Sequence, residues 1–316
     1  MKKQTILVPE VVAEPGLQYL REHGLELKMT NTIAKEDLIR DLEGCVGAIV
    51  RVGKYDADVL SHHPQIKVLG KHGVGVDSID LAYCKEHGIR VVNTPQANSL
   101  SVAEHTMTLM LACLKQIPFK AKRYALEDYA VKDRLLGHEI SGKILGLIGY
   151  GHIGRLVARM ARNGFSMDVL AYDPFVPEGI NEEGVEVTHS QDRVYQAADI
   201  VSIHIPATKD TIRSIGENQF KMMKPSAIIV NTARGSVINE QELIEALRHG
   251  EIAGAALDVS DPEPAKKDNP LHSMDQVIMT PHCAAVTVDA MNKMSLDVAK
   301  GIIEVLSDQE PTWPVI

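Results

Sequence analysis

Residues Lys143–Pro174 read KILGLIGYGHIGRLVARMARNGFSMDVLAYDP, and the order of residue types in this stretch decides the fold. An apolar run, Ile144–Ile148, leads directly into Gly149-Tyr150-Gly151-His152-Ile153-Gly154. A helical pattern follows from Arg155 to Asn163, then a second apolar run, Val169–Tyr172, that ends on Asp173. Glycines are common in turns, so the glycine pattern alone is weak. Between a strand and a helix, with an acid 19 positions after Gly154, it reads as a dinucleotide-binding turn. Gly149 permits the tight turn. Gly151 lets backbone amides approach a pyrophosphate at the helix N-terminus, where His152 and Ile153 stand. Gly154 lets helix and strand pack closely. Asp173 can accept hydrogen bonds from both adenosine ribose hydroxyls and would repel a 2′-phosphate. The expected cofactor is therefore NAD rather than NADP.

The whole chain bounds the rest. Its 316 residues suit two domains. With 45% hydrophobic and 24% charged residues the composition is that of a globular protein. A net charge of -9 argues against nucleic acid as a partner, because phosphate backbones need a basic surface. It leaves a small anionic substrate open. After Lys2-Lys3 the apolar run Ile6–Val8 is too short for a signal segment or a membrane span, so a cytoplasmic location is expected. Cys45, Cys84, Cys113 and Cys283 show no metal-ligand spacing. Neither a disulfide nor a metal is expected, and a reducing compartment fits.

Taken in order, the chain alternates short strands and helices, which predicts parallel sheets covered on both faces. Strands are expected at 5–8, 25–29, 48–50, 67–70 and 90–92, with helices at 14–23, 35–42, 57–61 and 78–87. The first part carries a different glycine turn, Gly73-Val74-Gly75-Val76-Asp77, after a strand. Backbone amides around Val74 and Gly75 would suit a carboxylate. Asn93–Ser99 reads as a hinge, and Ser101–Leu114 as a buried or dimer-interface helix. Lys120–Gly142 is polar and charged and reads as an extended arm. Beyond Asp173, strands are expected at 199–205, 227–231, 254–259 and 277–280, with helices at 240–249 and 286–306. This gives an α/β protein with two doubly wound parallel-sheet domains: residues 1–99 with 288–316, and residues 100–287.

Three polar residues follow strand ends of the second domain: Arg234, Glu263 and His282. Each alone would pass for an ordinary loop residue. All three fall on the carboxyl side of the sheet, where the glycine turn also lies, and that shared position gives them weight. The chain here resembles the D-isomer-specific 2-hydroxyacid dehydrogenase family, which includes 3-phosphoglycerate, hydroxypyruvate and D-lactate enzymes. The matching segments are Gly149–Gly154, Asn231-Thr232-Ala233-Arg234-Gly235, Ala256-Leu257-Asp258-Val259 with Glu263-Pro264, and Thr280-Pro281-His282. Gly73–Asp77 and Ser101-Val102-Ala103-Glu104 match as well, so the resemblance covers nearly the full chain.

The resemblance implies a Rossmann NAD-binding domain plus a flavodoxin-like substrate domain, a cleft between them, and a homodimer. It implies His282 as the general acid/base, with Glu263 stabilising its imidazolium form. Arg234 would bind the substrate carboxylate through its planar fork and polarise the 2-oxo group. Val74 and Gly75 would hold the same carboxylate. Asp258 would face the nicotinamide, and His204, Pro206 and Thr232 would flank the cofactor.

The chain departs from the family at Ser260, Ser78 and Cys283-Ala284-Ala285, which puts substrate identity in question. Cys283 reads as a packing residue rather than a nucleophile. Arg51, Lys54, Lys71 and His72 form a basic set near substrate-domain strand ends. It is either a solvated rim or a receiver for an anionic tail such as a phosphate, with Arg51 the best single candidate. The chain stops soon after the returning helix, so feedback through an extra C-terminal domain is not expected. Two further readings share the fold: an NAD(H)-sensing corepressor-like protein, which would not need Arg234, Glu263 and His282, and a dehydrogenase of an oxyanion such as phosphite.

Overall fold

A computed structural model describes residues 3–316. The chain divides into two compact units. The first unit runs up to Ser99 and adds Ala285–Ile316; the second is Leu100–Ala284.

The first unit holds strands β1 (Thr5–Val8), β2 (Glu26–Met29), β3 (Gly47–Val50), β4 (Val68–Lys71) and β5 (Arg90–Val92). All pair in parallel, in the order β2-β1-β3-β4-β5. That is the 2-1-3-4-5 order of flavodoxin-like sheets. Side chains alternate between faces because the strand period is two. Leu7, Ala48, Val50 and Leu69 join one core cluster, while Ile6, Val8, Ile49 and Val68 join the other. The second cluster is completed by Val298, Ala299 and Ile302 of the helix Val288–Leu306. That helix lies against β4 because Gly70 has no side chain. A Cβ there would sit 2.6 Å from Val298 Cγ2 and 2.7 Å from Ile302 Cδ1. Val298 and Ile302 are wholly buried, and each contributes on the order of 1.5–3 kcal/mol. The helix starts later than the expected 286, since the Thr287 hydroxyl accepts from the Ala290 amide at 3.1 Å and caps it.

The second unit holds β6 (Ile144–Ile148), β7 (Asp168–Tyr172), β8 (Gly179–Ile180), β9 (Glu186–Thr188), β10 (Ile200–Ile203), β11 (Ile228–Asn231), β12 (Gly254–Leu257) and β13 (Val277–Met279). The sheet order is β13-β12-β11-β10-β6-β7-β9-β8, parallel except for β8 against β9. Strands after β6 run outward to one side, and strands from β10 run outward to the other. The order therefore reverses between β6 and β10, the switch point at which open α/β sheets bind ligands. The unit continues only to Ala284, short of the expected 287.

The arm at 120–142 is not extended throughout. Helices Ile117–Ala125 and Val131–Arg134 occupy much of it. Polar composition suggested an arm, but Lys, Arg and Ala are good helix formers. Asp128 ties the two helices together, accepting from Arg123 Nη2 at 2.6 Å and Arg134 Nη2 at 2.5 Å. The short strands β8 and β9 and the helices Gln191–Ala197 and Glu217–Met222 were not legible in the sequence. Among the described residues no helix is long and apolar enough to cross a membrane.

Candidate active site

The glycine turn follows β6 at the switch point. Gly149 has φ +102°, and its amide donates to Tyr172 O at 2.9 Å. A Cβ on Gly149 would stand 2.6 Å from His204 O, and one on Gly154 would stand 2.5 Å from Gly149 O. Packing therefore demands both glycines. At Gly151 a Cβ would meet no protein atom within 4 Å, so the protein's own packing does not explain that glycine. The helix His152–Phe165 begins on His152, with Ile153 in its first turn. Asp173 is tied to the turn: its Oδ2 accepts from the Tyr150 amide and its Oδ1 from the Phe175 amide, both at 2.9 Å. Each oxygen retains a second lone pair for a hydroxyl donor. After β10, His204 pairs its Nε2 with Ser202 Oγ at 2.9 Å. Burial pulls its pKa down to about 4, so the ring is neutral at pH 7. The Pro206 carbonyl accepts from the Thr211 hydroxyl at 2.6 Å.

After β11 the chain pins its own turn. Asn231 is wholly buried; its Oδ1 accepts from the Ala233 amide at 3.0 Å and its Nδ2 donates to Arg234 O at 2.9 Å. The partly buried Arg234 guanidinium donates through Nη1 to Ala233 O at 2.7 Å. Gly235 lets this turn touch the loop after β12, because a Cβ there would overlap the Ser260 backbone at 2.1 Å. That loop carries Glu263, whose Oε1 lies 2.5 Å from His282 Nδ1. Both side chains are well exposed, at 41% and 47%. His282 has φ +49°, an uncommon conformation for a side-chain-bearing residue that costs about 1–3 kcal/mol. Its amide holds the bend, donating to Asp258 O at 2.7 Å and Thr280 O at 3.0 Å.

Asp258 sits beneath this bend rather than on a surface, with 1% exposure. Its Oδ1 accepts from the Thr280 hydroxyl at 2.6 Å and the Cys283 amide at 2.9 Å; its Oδ2 accepts from the Ala284 amide at 2.8 Å. His105 Nε2 lies 3.5 Å from Oδ1. Burial pushes the Asp258 carboxyl up, but the bonds from His105, Thr280 and the two amides outweigh it and hold it below the usual range. The carboxylate thus shapes the His282 loop, a task the sequence did not suggest. Thr232 likewise turns its hydroxyl inward, 2.9 Å from that of Thr106. His105 and Thr280 were missed, although Thr280 directly precedes Pro281-His282. Their signal lies only in three dimensions, where both meet Asp258. Cys283 is partly buried; burial, then the Asp258 carboxylate, raises its thiol pKa, which disfavours a nucleophilic thiolate.

In the first unit the turn after β4 is held from behind. The Gly73 amide donates to Thr94 Oγ1 at 3.0 Å, and Asn93 Nδ2 donates to Val74 O at 2.9 Å. Val74 is left exposed and Gly75 partly so. The basic set divides. Lys54 is 77% exposed. Lys71 is buried, its ammonium donating to Arg51 O. His72 is buried and neutral, its pKa lowered to about 4 by burial and by the Arg51 charge. Arg51 is partly buried and donates through Nη1 to Val11 O at 2.7 Å.

Residues 107–284 match the family model of the D-isomer specific 2-hydroxyacid dehydrogenase, NAD binding domain. The chain belongs to the D-isomer specific 2-hydroxyacid dehydrogenase family. It is 40% identical to D-3-phosphoglycerate dehydrogenase of Archaeoglobus fulgidus over 94% of this chain and 56% of that protein. It is 37% identical to hydroxypyruvate reductase of Thermotoga maritima over 89% and 92% of the two chains. Its fold is similar to that of the TT0316 protein of Thermus thermophilus, with TM-score 0.92 and 33% identity, over 99% of this chain and 100% of that one. The chain spans just over half the length of the phosphoglycerate dehydrogenases it matches. In this 2-hydroxyacid dehydrogenase family member, the matched NAD binding domain runs from within the Ser99–Lys115 helix to two residues past His282.

Proposed function

We propose that this chain is an NAD-dependent D-2-hydroxyacid dehydrogenase, moving a hydride between nicotinamide and C2 of a small 2-hydroxy or 2-oxo acid. The observation that carries the reading is the contact between His282 Nδ1 and Glu263 Oε1 at 2.5 Å, beside the Arg234 turn. With Nδ1–H committed to Glu263, Nε2 is the nitrogen that exchanges the substrate hydroxyl proton. A bound nicotinamide would supply the hydride for C2 in reduction, and His282 as imidazolium would give its proton to the 2-oxo oxygen. In oxidation both run backwards. Arg234 would bind the carboxylate of the acid, and in the first unit the Val74–Gly75 amides are suited to an anion.

The cofactor carries the hydride, and the glycine turn receives its pyrophosphate. Gly151, which packing does not explain, would let the backbone amides approach that pyrophosphate. Asp173 reads the ribose hydroxyls and favours NAD. Asp258 and Thr232 serve this site by shaping its loops, and His204 and Pro206 line the turn opposite. Arg51 would receive an anionic tail on the acid. A cytoplasmic homodimer is the expected form.

An NADH-consumption screen over pyruvate, glyoxylate, hydroxypyruvate and phosphorylated or sulfonated 2-oxo acids tests the reading. At least one should be reduced, with NADH preferred to NADPH. Cofactor binding without turnover on any member would overturn it.

A further inference from the structure

Three side chains from separate elements converge beside the His282 loop and take no part in the proposed hydride transfer. His105 lies in the Ser99–Lys115 helix, Asp258 follows β12, and Cys283 follows His282. Their ligand atoms all lie within 4.8 Å of one another. Two of the separations are shorter still: His105 Nε2 to Asp258 Oδ1 is 3.5 Å, and Cys283 Sγ to the same oxygen is 3.6 Å. The first is at the outer limit of an N–H···O hydrogen bond, so it is a weak hold that a metal can replace. A tetrahedral zinc ion with bonds of about 2.0–2.3 Å spaces its ligand atoms about 3.3–3.6 Å apart. Two edges of such a site are thus already close to that length. Rotation of the partly buried Cys283 side chain would close the third.

We propose that His105, Asp258 and Cys283 form a regulatory site for a borderline-soft divalent metal ion, zinc above all, whose binding slows the enzyme. Imidazole, carboxylate and thiolate together suit zinc; magnesium and calcium favour all-oxygen sets. The thiol proton leaves to solvent as the metal–sulfur bond forms, the His105 ring proton shifts from Nε2 to Nδ1 by exchange with water, and the Thr280 hydroxyl turns away from Asp258 Oδ1 to free a lone pair for the metal. Carboxylate and thiolate balance the two positive charges, and water fills the fourth position. Asp258 Oδ2 keeps its bond to the Ala284 amide. The metal draws Cys283 Sγ toward His105, and that shift, passed to the adjoining His282, loosens its contact with Glu263. The sequence shows no metal motif because the ligands come from three distant segments.

Cobalt(II) titration of the intact chain should give a thiolate-to-cobalt charge-transfer band at one equivalent. Zinc should displace the cobalt, and Cys283→Ala should abolish the band. Turnover of NADH should fall with zinc and return with a chelator, while Cys283→Ala keeps its own rate in zinc. Cys283→Ser, which preserves size, should weaken zinc affinity by at least about tenfold, and it serves if the alanine variant fails to fold. The inhibition arm rests on the dehydrogenase reading, but the cobalt arm does not. A cobalt band without any turnover would therefore count against that reading and leave the metal site standing. No band at saturating cobalt, a band that survives Cys283→Ala or Cys283→Ser, or zinc inhibition equal in wild type and variant would overturn the proposal.

Discussion

The two sheets treat the carboxyl ends of their strands in opposite ways. In the first unit, polar side chains hold the backbone. The Glu10 carboxylate accepts from the Arg51, Val52 and Gly53 amides at 3.0–3.2 Å, and the buried Lys71 ammonium donates to Arg51 O. In the second unit the Glu263–His282 pair stands exposed, and buried residues such as Asn231 and Asp258 hold the loops that present it. A strand end can thus offer either shaped backbone or reactive side chains. Either use needs a buried polar group beneath it.

The largest effect should come from the exposed pair. His282→Ala should cut turnover by about 10²–10⁴-fold, the range for losing a general acid/base. NADH affinity, measured by fluorescence titration, should change little. A fully active variant would erase the contrast between the units.

The next test concerns buried His72 in the first unit. Its pKa in the folded chain is about 4, below the ordinary 6.5. Unfolded chains therefore bind more protons between those values, so stability is full above pH 6.5 and is lost as pH falls toward 4. His72 alone should cost about 2 kcal/mol by pH 5, read from denaturant midpoints at pH 7 and pH 5. His72→Asn should flatten that slope, and an unchanged slope would move the effect to His204, the partly buried histidine of the second unit whose pKa is also lowered to about 4.

The smallest effect should follow Glu10→Gln, which turns an amide nitrogen toward backbone donors. Losing charge-assisted bonds there should cost about 1–2 kcal/mol of stability. If the Val74–Gly75 side of the site depends on this scaffold, KM for the acid should rise while kcat holds. An unchanged KM would separate the 51–53 loop from substrate binding.

The sequence made the side chains that face outward legible, and hid the ones that support them. Gly149–Gly154 could be read because a glycine turn between a strand and a helix is a local pattern, and the parallel sheet around it followed from strand–helix alternation. Arg234, Glu263 and His282 were singled out because each follows a strand, and the structure brings Glu263 and His282 into contact. The role of Asp258 could not, since its partners His105, Thr280, Cys283 and Ala284 come from separate parts of the chain. Glu10 was missed for the same reason, as its amide partners lie about forty positions away. The helices at 117–125 and 131–134 were hidden by polar composition, and the two-residue β8 has too few side chains to form a pattern.

One feature of the first unit reaches beyond the finished molecule. Its sheet is covered by the helix Val288–Leu306, which the chain makes only after the whole of the second unit. Synthesis runs from the N-terminus, and domains fold as units as they emerge. The middle segment can therefore fold on the ribosome while the earlier one waits, the β4 face around Gly70 still bare to water. The order of folding is then the reverse of the order of the segments, and the oldest end of the chain keeps its apolar face open longest.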